Sequence, residues 1–186
     1  MTIGVLAVQG AFFEHEEVLG RLGVSCVELR NKEDLKKQYD GIILPGGEST
    51  VQGKLLHDLE MFETIKRQIV QGMPVLATCA GMILLAETLE GESYAYFRTI
   101  PMTVKRNAYG RQLGSFYADG AVTGVGTVPM TFIRAPYVAA VAPSVEVLAE
   151  VNGRIVAVRY QNQIALAFHP ELHQDMRLHE TFLKMV

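Results

Sequence analysis

Cysteine is scarce in this sequence. Cys26 and Cys79 are the only two among 186 residues, too few for a disulfide framework, and without a C-x-x-C pair there is no zinc or thioredoxin signature. An excess of basic charge is also missing: 17 Lys and Arg stand against 20 Asp and Glu, a net charge of −3. A nucleic acid or a membrane surface as partner would call for a basic patch, so neither is expected. The apolar runs are short. Met1–Phe13 and Met73–Ala86 fall below the roughly 18–20 apolar residues that a membrane-spanning helix needs. The first run has no positively charged segment before it and leads into Glu14, Glu16 and Glu17 instead of a small-residue cleavage site. That argues against a secretory signal and for a cytoplasmic location. What is present is 49% hydrophobic and 20% charged, the make-up of an ordinary packed protein. With no linker, repeat or biased segment, one domain over residues 1–186 is expected.

The first half alternates short apolar runs with segments of helical period, which predicts parallel strands covered by helices. Ile3–Val8, Val24–Leu29, Gly41–Leu44 and Pro74–Ala77 read as strands. Phe12–Leu22 and the charged Lys32–Lys37 read as helices. Leu55, Leu56, Leu59, Phe62, Ile65 and Ile69 form a helical stripe, and Ala80–Leu89 reads as a helix ended by Gly91. From Pro101 onward the pattern changes to β-runs: Met102–Lys105, Ser115–Ala118, Val128–Ile133, Val145–Val151, Ile155–Tyr160 and Ile164–Phe168. Asn152-Gly153 predicts a hairpin, because that turn needs positive φ at both residues. The β-rich half is expected to extend the same sheet, and Met176–Val186 to close the chain as a helix.

Three segments could carry chemistry. Cys79, in Ala77-Thr78-Cys79-Ala80-Gly81, lies between an apolar strand and an apolar helix, the strand-turn-helix setting of a nucleophile elbow. A helix N-terminus beneath it would favour the thiolate and leave the Ala80 N–H free for a developing oxyanion. Taken alone, Cys79 reads equally well as a buried structural cysteine. Phe168-His169-Pro170-Glu171 ends the last β-run, and side chains at i and i+2 of an extended segment share a side. His169 and Glu171 can thus be a base and its orienting carboxylate, or an incidental histidine in a helix-entry turn. His15, His57, His173 and His179 are expected on solvated helical or polar segments, without evident partners. Leu44-Pro45-Gly46-Gly47-Glu48-Ser49-Thr50 offers paired glycines whose N–H groups can approach a ligand, with Ser49 or Thr50 as a possible N-cap and a plain turn as the alternative. As a phosphate loop it lacks the Walker Lys and the G-x-G-x-x-G spacing.

In this order and at these separations, the three segments resemble the class I (triad) glutamine amidotransferases. Gly4–Ala11, Arg106-Asn107-Ala108-Tyr109-Gly110-Arg111-Gln112, Phe132-Ile133-Arg134-Ala135-Pro136 and Phe168–Leu172 narrow the resemblance to the family of glutaminase subunits of the pyridoxal 5′-phosphate synthase complex, over essentially the whole chain. The resemblance implies a flavodoxin-like, three-layer α/β sandwich whose central sheet is mostly parallel, with a β-rich C-terminal extension. It implies hydrolysis of L-glutamine to L-glutamate and ammonia for a separate synthase (lyase) subunit, without metal or cofactor. Carried over by motif, Cys79 is the nucleophile, His169 the general base and acid, and Glu171 the orienting carboxylate, with Gly47 and Ala80 as oxyanion donors. The family's substrate positions fall on Gly47, Glu48, Ser49, Arg106, Ile133 and Arg134. Charge allocates Glu48 to the substrate ammonium and Arg106 to its carboxylate, with a surface salt bridge as the alternative for either charge.

The resemblance also implies activity gated by the synthase subunit. The sequence offers a device for this in the shared peptide of Gly46-Gly47, which can flip at little steric cost, with the Gln9-Gly10 loop relaying the contact. Three positions depart from the family pattern: Ala77 stands where the elbow has glycine, Ser93–Pro101 lacks the usual Gly-Leu pattern, and His173 replaces Thr. The alternatives are a glutaminase of another synthase, such as imidazole-glycerol-phosphate synthase, a non-catalytic relative, and a cysteine peptidase or hydrolase of related fold.

Overall fold

A computed structural model describes residues 1–106 and 114–186. The first half alternates as its pattern predicts: β1 (Thr2–Leu6), α1 (Phe12–Arg21), β2 (Ser25–Leu29), a 3-10 turn (Asp34–Lys36), β3 (Gly41–Leu44), α2 (Ser49–Asp58), α3 (Phe62–Val70), β4 (Val75–Thr78) and α4 (Ala80–Leu85). There follow β5 (Ala86–Leu89), β6 (Ile100–Lys105), β7 (Ser115–Val122), β8 (Gly126–Ile133), β9 (Tyr137–Val141), β10 (Glu146–Val151), β11 (Arg154–Tyr160) and β12 (Gln163–Leu166). A second 3-10 turn (Pro170–Leu172) and α5 (Arg177–Leu183) close the chain.

Among the described residues, ten strands make one sheet in the order β2-β1-β3-β4-β12-β11-β9-β6-β5, with β10 paired to β11. From β2 to β12 every pairing is parallel. In β3, β4 and β12 every residue is buried, as expected of central strands with both faces covered. The strands β9, β10 and β11 then extend the sheet by antiparallel pairing. Asn152 and Gly153 take φ of 52° and 71° between β10 and β11, the hairpin geometry that their sequence predicts.

Several expectations need correction. The helix expected over Ala80–Leu89 stops at Leu85, and Ala86–Leu89 is a strand parallel to β6. The carbonyls of Leu84 and Leu85 accept the N–H groups of Phe97 and Thr99, so a returning segment takes up the helix end. An apolar run this short fits either element until a partner strand decides. The stripe from Leu55 to Ile69 is split between α2 and α3. Glu60, at φ 55°, closes α2 through bonds from its N–H to the His57 carbonyl and from the Met61 N–H to the Leu56 carbonyl. This is a Schellman cap with Glu in the place that glycine usually marks. The helix expected over Lys32–Lys37 is only the 3-10 turn, and Tyr137–Val141 is a strand that the pattern did not suggest. The β-rich half is not wholly part of the main sheet: β7 and β8 form a two-stranded sheet of their own, with Phe116 stacked on Phe132.

The order of the central strands positions the site. β3, β4 and β12 lie side by side, with Leu44 opposite Ala77 and Thr78 opposite Leu166. All three run in one direction, so the segments that follow them gather at their carboxyl ends, where parallel sheets collect ligands. Chain regions around residues 45, 79 and 169 meet for this reason.

Candidate active site

Cys79 follows β4 directly and adopts φ 47°, ψ −101°, a strained conformation for a residue with a side chain. Its N–H donates to the Leu166 carbonyl of β12 at 2.7 Å, which locks the turn between two neighbouring strands. The preceding Ala77 sits within β4 at 0% exposure; extended backbone needs no glycine there, so this departure leaves the turn intact.

His169 lies beyond β12, with its backbone N–H bonded to the Thr131 carbonyl of β8 at 2.9 Å. Its Nδ1 is 2.6 Å from Glu171 Oε1, and both residues are buried. Cys79 Sγ is 3.8 Å from the Ile133 carbonyl, and the thiol and the His169 imidazole line one cavity. Burial by itself would lower the His169 pKa. The hydrogen bonds and charges of Cys79 and Glu171 outweigh it and bring the imidazole up to about 10. Burial pushes the Glu171 carboxyl up, while the imidazoles of His15 and His169 draw it below the ordinary carboxylate range.

The Gly46-Gly47 loop is fastened from both sides. The Gly46 N–H donates to Thr78 Oγ1 at 3.0 Å, and the Gly46 carbonyl accepts the Ala11 N–H at 2.9 Å. A Cβ on Gly46 would come within 2.3 Å of the His169 ring, so only glycine lets the loop approach the imidazole. Gln9 holds the next turn by accepting the Glu48 N–H at 2.9 Å through its side-chain oxygen, and Gln52 donates to the Gln9 carbonyl at 2.9 Å. The expectation of a freely flipping peptide is thereby modified: its carbonyl is bonded to the 9–11 loop, and rotation breaks that bond.

These groups border a cavity of about 600 Å³, whose walls include Cys79, His169, the residues 46–50, Ile133, Arg134 and Arg106. Ser49 opens α2 and is buried, without capping the helix by its side chain. Glu48 is exposed. Arg134 turns at φ 44°, and its N–H bonds the Gly114 carbonyl at 2.6 Å. Arg106 pairs with Glu92 at 2.8 Å and reaches Ser49 Oγ at 3.4 Å. Its Nε is buried without a partner among the described residues. Glu92 is a neighbour the sequence reading missed. The motif residues 107–112 lie outside the described residues. Among the described residues no three His, Cys, Asp or Glu side chains form a metal site, and no helix is long and apolar enough to cross a membrane.

The histidines bring the largest correction. His57 is on the surface as expected, stacked on Phe62. His173 is half-buried and bonded to Thr131 Oγ1 at 2.9 Å instead of standing in solvent. His15 and His179, expected on solvated faces, are both 0% exposed and lie 2.9 Å apart, Nδ1 to Nε2. His15 Nε2 is 3.2 Å from Thr78 Oγ1 and 3.5 Å from Glu171 Oε2. The available signal was the spacing of His15 from Val18 and Leu19, which shares the buried face of α1.

Residues 5–186 match the SNO glutamine amidotransferase family. The pyridoxal 5′-phosphate synthase subunit PdxT of Desulfitobacterium hafniense is 62% identical over 186 residues, covering 100% of this chain and 94% of that protein. The PdxT of Methanocorpusculum labreanum is 55% identical, covering 100% and 98%. Among solved structures, a glutamine amidotransferase superposes with a TM-score of 0.93 at 41% identity, covering 98% of this chain and 97% of that one. A putative GMP synthase subunit from Thermoplasma acidophilum, at TM-score 0.71 and 18% identity with 100% and 93% covered, shares the fold. On a match spanning nearly its whole length, this chain belongs to the SNO glutamine amidotransferase family.

Proposed function

We propose that the chain is the glutaminase subunit of a pyridoxal 5′-phosphate synthase, hydrolysing L-glutamine to L-glutamate and ammonia for the synthase subunit. The observation that carries the reading is the Glu171–His169 bond of 2.6 Å with Cys79 lining the same cavity as His169, a cavity of amino-acid size. The strong identity to relatives described as pyridoxal 5′-phosphate synthase subunits favours this synthase over another. Residues 1–186 act as one catalytic domain, built on a single contiguous core. Two free cysteines suit a reducing cytoplasm.

In the proposed mechanism the thiol proton already rests on His169, raised to about 10, and Cys79 Sγ attacks the side-chain amide carbon of glutamine. The N–H groups of Gly47 and Ala80 hold the resulting oxyanion. The imidazolium returns its proton to the amide nitrogen, ammonia leaves, and a glutamyl thioester remains. Water then loses a proton to His169 and attacks the thioester, releasing glutamate and restoring the thiol. Glu171 holds His169 in the tautomer that presents Nε2 to the sulfur. Arg106, with an unpartnered buried N–H, takes the substrate α-carboxylate beside Ser49, and Glu48 takes the ammonium. The Ile133 and Arg134 backbone lines the same pocket.

Gating follows from the loop contacts. Ala11 holds the Gly46 carbonyl, so moving the 9–11 loop turns the Gly47 N–H at the other end of that peptide. The test is a steady-state glutaminase assay with and without the synthase subunit. Loss of one oxyanion donor costs roughly 10²–10³ in rate, so the partner should raise the rate at least about tenfold. Gln9→Ala should blunt that rise more than it lowers the basal rate. Equal rates with and without the partner would reject gating.

A further inference from the structure

His15 and His179 are buried titratable groups that the mechanism leaves unused. Glu171 Oε1 bonds His169, but its other oxygen, Oε2, is buried without a hydrogen-bond partner among the described residues. It faces His15 Nε2 at 3.5 Å. The tautomers follow from this placement. Were the His15 proton on Nδ1, a lone pair on Nε2 would face the carboxylate at a fully buried position. Were it on Nε2, that N–H would point between Glu171 Oε2 and Thr78 Oγ1. His15 Nδ1 would then accept the Nε2–H of His179 at 2.9 Å. The carboxylate selects the second arrangement. His179 Nδ1 is buried and unpartnered, as suits the bare acceptor nitrogen of a neutral ring. An additional proton on it would be buried without an acceptor.

We propose that His15 is a positioning residue of the active site: its Nε2–H, aimed by His179, steadies Glu171 toward His169 and ties the carboxylate to the glycine loop through Thr78. This deepens the glutaminase reading and rests on it. Thr78 accepts the Gly46 N–H at 3.0 Å, so one imidazole touches both the group that orients the base and the group that anchors the proposed oxyanion loop. The charged and titratable groups acting on His15 are Glu171, His169, His179 and, on its own helix, Glu14. Arg21 acts on His179. Burial lowers the pKa of both His15 and His179, in keeping with neutral rings.

The test compares wild type with His15→Leu, His15→Gln, His179→Leu and Cys79→Ala in the complex with the synthase subunit. Active sites are counted with a glutamine-analogue electrophile, and Cys79 alkylation by iodoacetamide is followed against pH. His15→Leu should lower kcat per counted site roughly tenfold or more, with KM within about twofold, because a buried charge loses the N–H dipole that faces it. A less steady Glu171 supports the imidazolium less, so the alkylation midpoint should rise by about one unit. His15→Gln, which restores an amide N–H, should recover most of both. His179→Leu should lower kcat about threefold by releasing the His15 tautomer.

Unchanged kcat and midpoint in His15→Leu, or a His15→Gln protein as impaired as His15→Leu at equal site count, would overturn the proposal. If His15→Leu fails to fold, His179→Leu decides, and an unchanged kcat and midpoint there overturn it. Full hydrolysis by Cys79→Ala would overturn the Cys79 mechanism and this inference together, and no hydrolysis by the wild-type complex would overturn the glutaminase reading. Inactive Cys79→Ala beside a normal His15→Leu would overturn the inference alone.

Discussion

Glu171 has an imidazole on each side, and the two environments drive them in opposite directions. On the cavity side His169 is 6% exposed, bonded to Glu171 through Nδ1, and is brought up to about 10 by Cys79 and Glu171. On the core side His15 and His179 are fully enclosed; burial lowers the first and brings the second down to about 3. Both sides face one carboxylate. The difference lies in what surrounds the proton: His169 has a carboxylate oxygen at 2.6 Å and the Cys79 sulfur in the same cavity, whereas His15 has the other carboxylate oxygen only at 3.5 Å, beside His179 and a hydroxyl. A buried cation persists where acceptors are in contact and is neutralised where they are not.

The change with the largest expected effect removes the thiol. Cys79→Ala should cut glutamine hydrolysis by at least about 10³-fold with an unaltered circular dichroism spectrum, since nucleophile and base act as a unit. A glutamine-analogue electrophile should label Cys79 and spare Cys26, whose thiol burial and the nearby Glu16 and Glu28 push up. Comparable labelling of Cys26 would remove the assignment.

The next comparison separates the base from its support. His169→Asn removes the proton carrier and should approach the Cys79→Ala loss. Glu171→Gln should leave more activity, because the carboxylate orients and stabilises without transferring a proton. A reversed order in folded protein would show that the cavity and core sides of Glu171 have been given the wrong roles.

Smaller effects are expected at the cavity wall. Arg106→Ala or Glu48→Ala should weaken glutamine binding by about 1.5–3 kcal/mol, the usual worth of a hydrogen bond to a charged group. Calorimetric titration in a Cys79→Ala background measures this, and unchanged affinity in both variants would take them out of the substrate site.

The smallest effect concerns pH and stability. An unfolded histidine titrates near 6.5, and folded His179 lies at about 3. Below 6.5 the unfolded chain therefore binds a proton that the folded chain refuses, and stability falls as pH drops from about 6.5 toward 3. His169 works the other way: raised to about 10, it contributes stability that is present below 6.5 and lost as pH climbs through 10. His179→Gln should thus flatten the acid side of a Tm-against-pH curve and leave the alkaline side unchanged. An unaltered acid slope would mean that His179 is not buried as a neutral ring.

Much of the framework could be read along the chain. The buried runs of β1, β3 and β4, the Cys79 turn and the Asn152-Gly153 hairpin are local matters of apolar patterning and turn chemistry, so short windows reveal them. Reading failed where a distant segment decided the outcome. Ala86–Leu89 became a strand because β6 returns beside it, α2 ended at a Glu in the left-handed region without the usual glycine, and the pair β7 and β8 left the main sheet. The Arg106 partner Glu92 depended likewise on how the chain returns.

The sequence by itself determined which residue types were available for chemistry: one cysteine at a strand-helix turn, a His and Glu two apart after a strand, and paired glycines after another. Those features are encoded over a few residues, because φ/ψ preferences and strand alternation are local. Only the tertiary structure decided that β12 inserts beside β4 and brings His169 to Cys79, and that α1 and α5 turn His15 and His179 inward behind Glu171. The physical reason is that strand order and helix rotation minimise the exposed apolar surface of the whole chain. A histidine on a helix carries no local mark of whether that minimum leaves it in water or encloses it against a carboxylate.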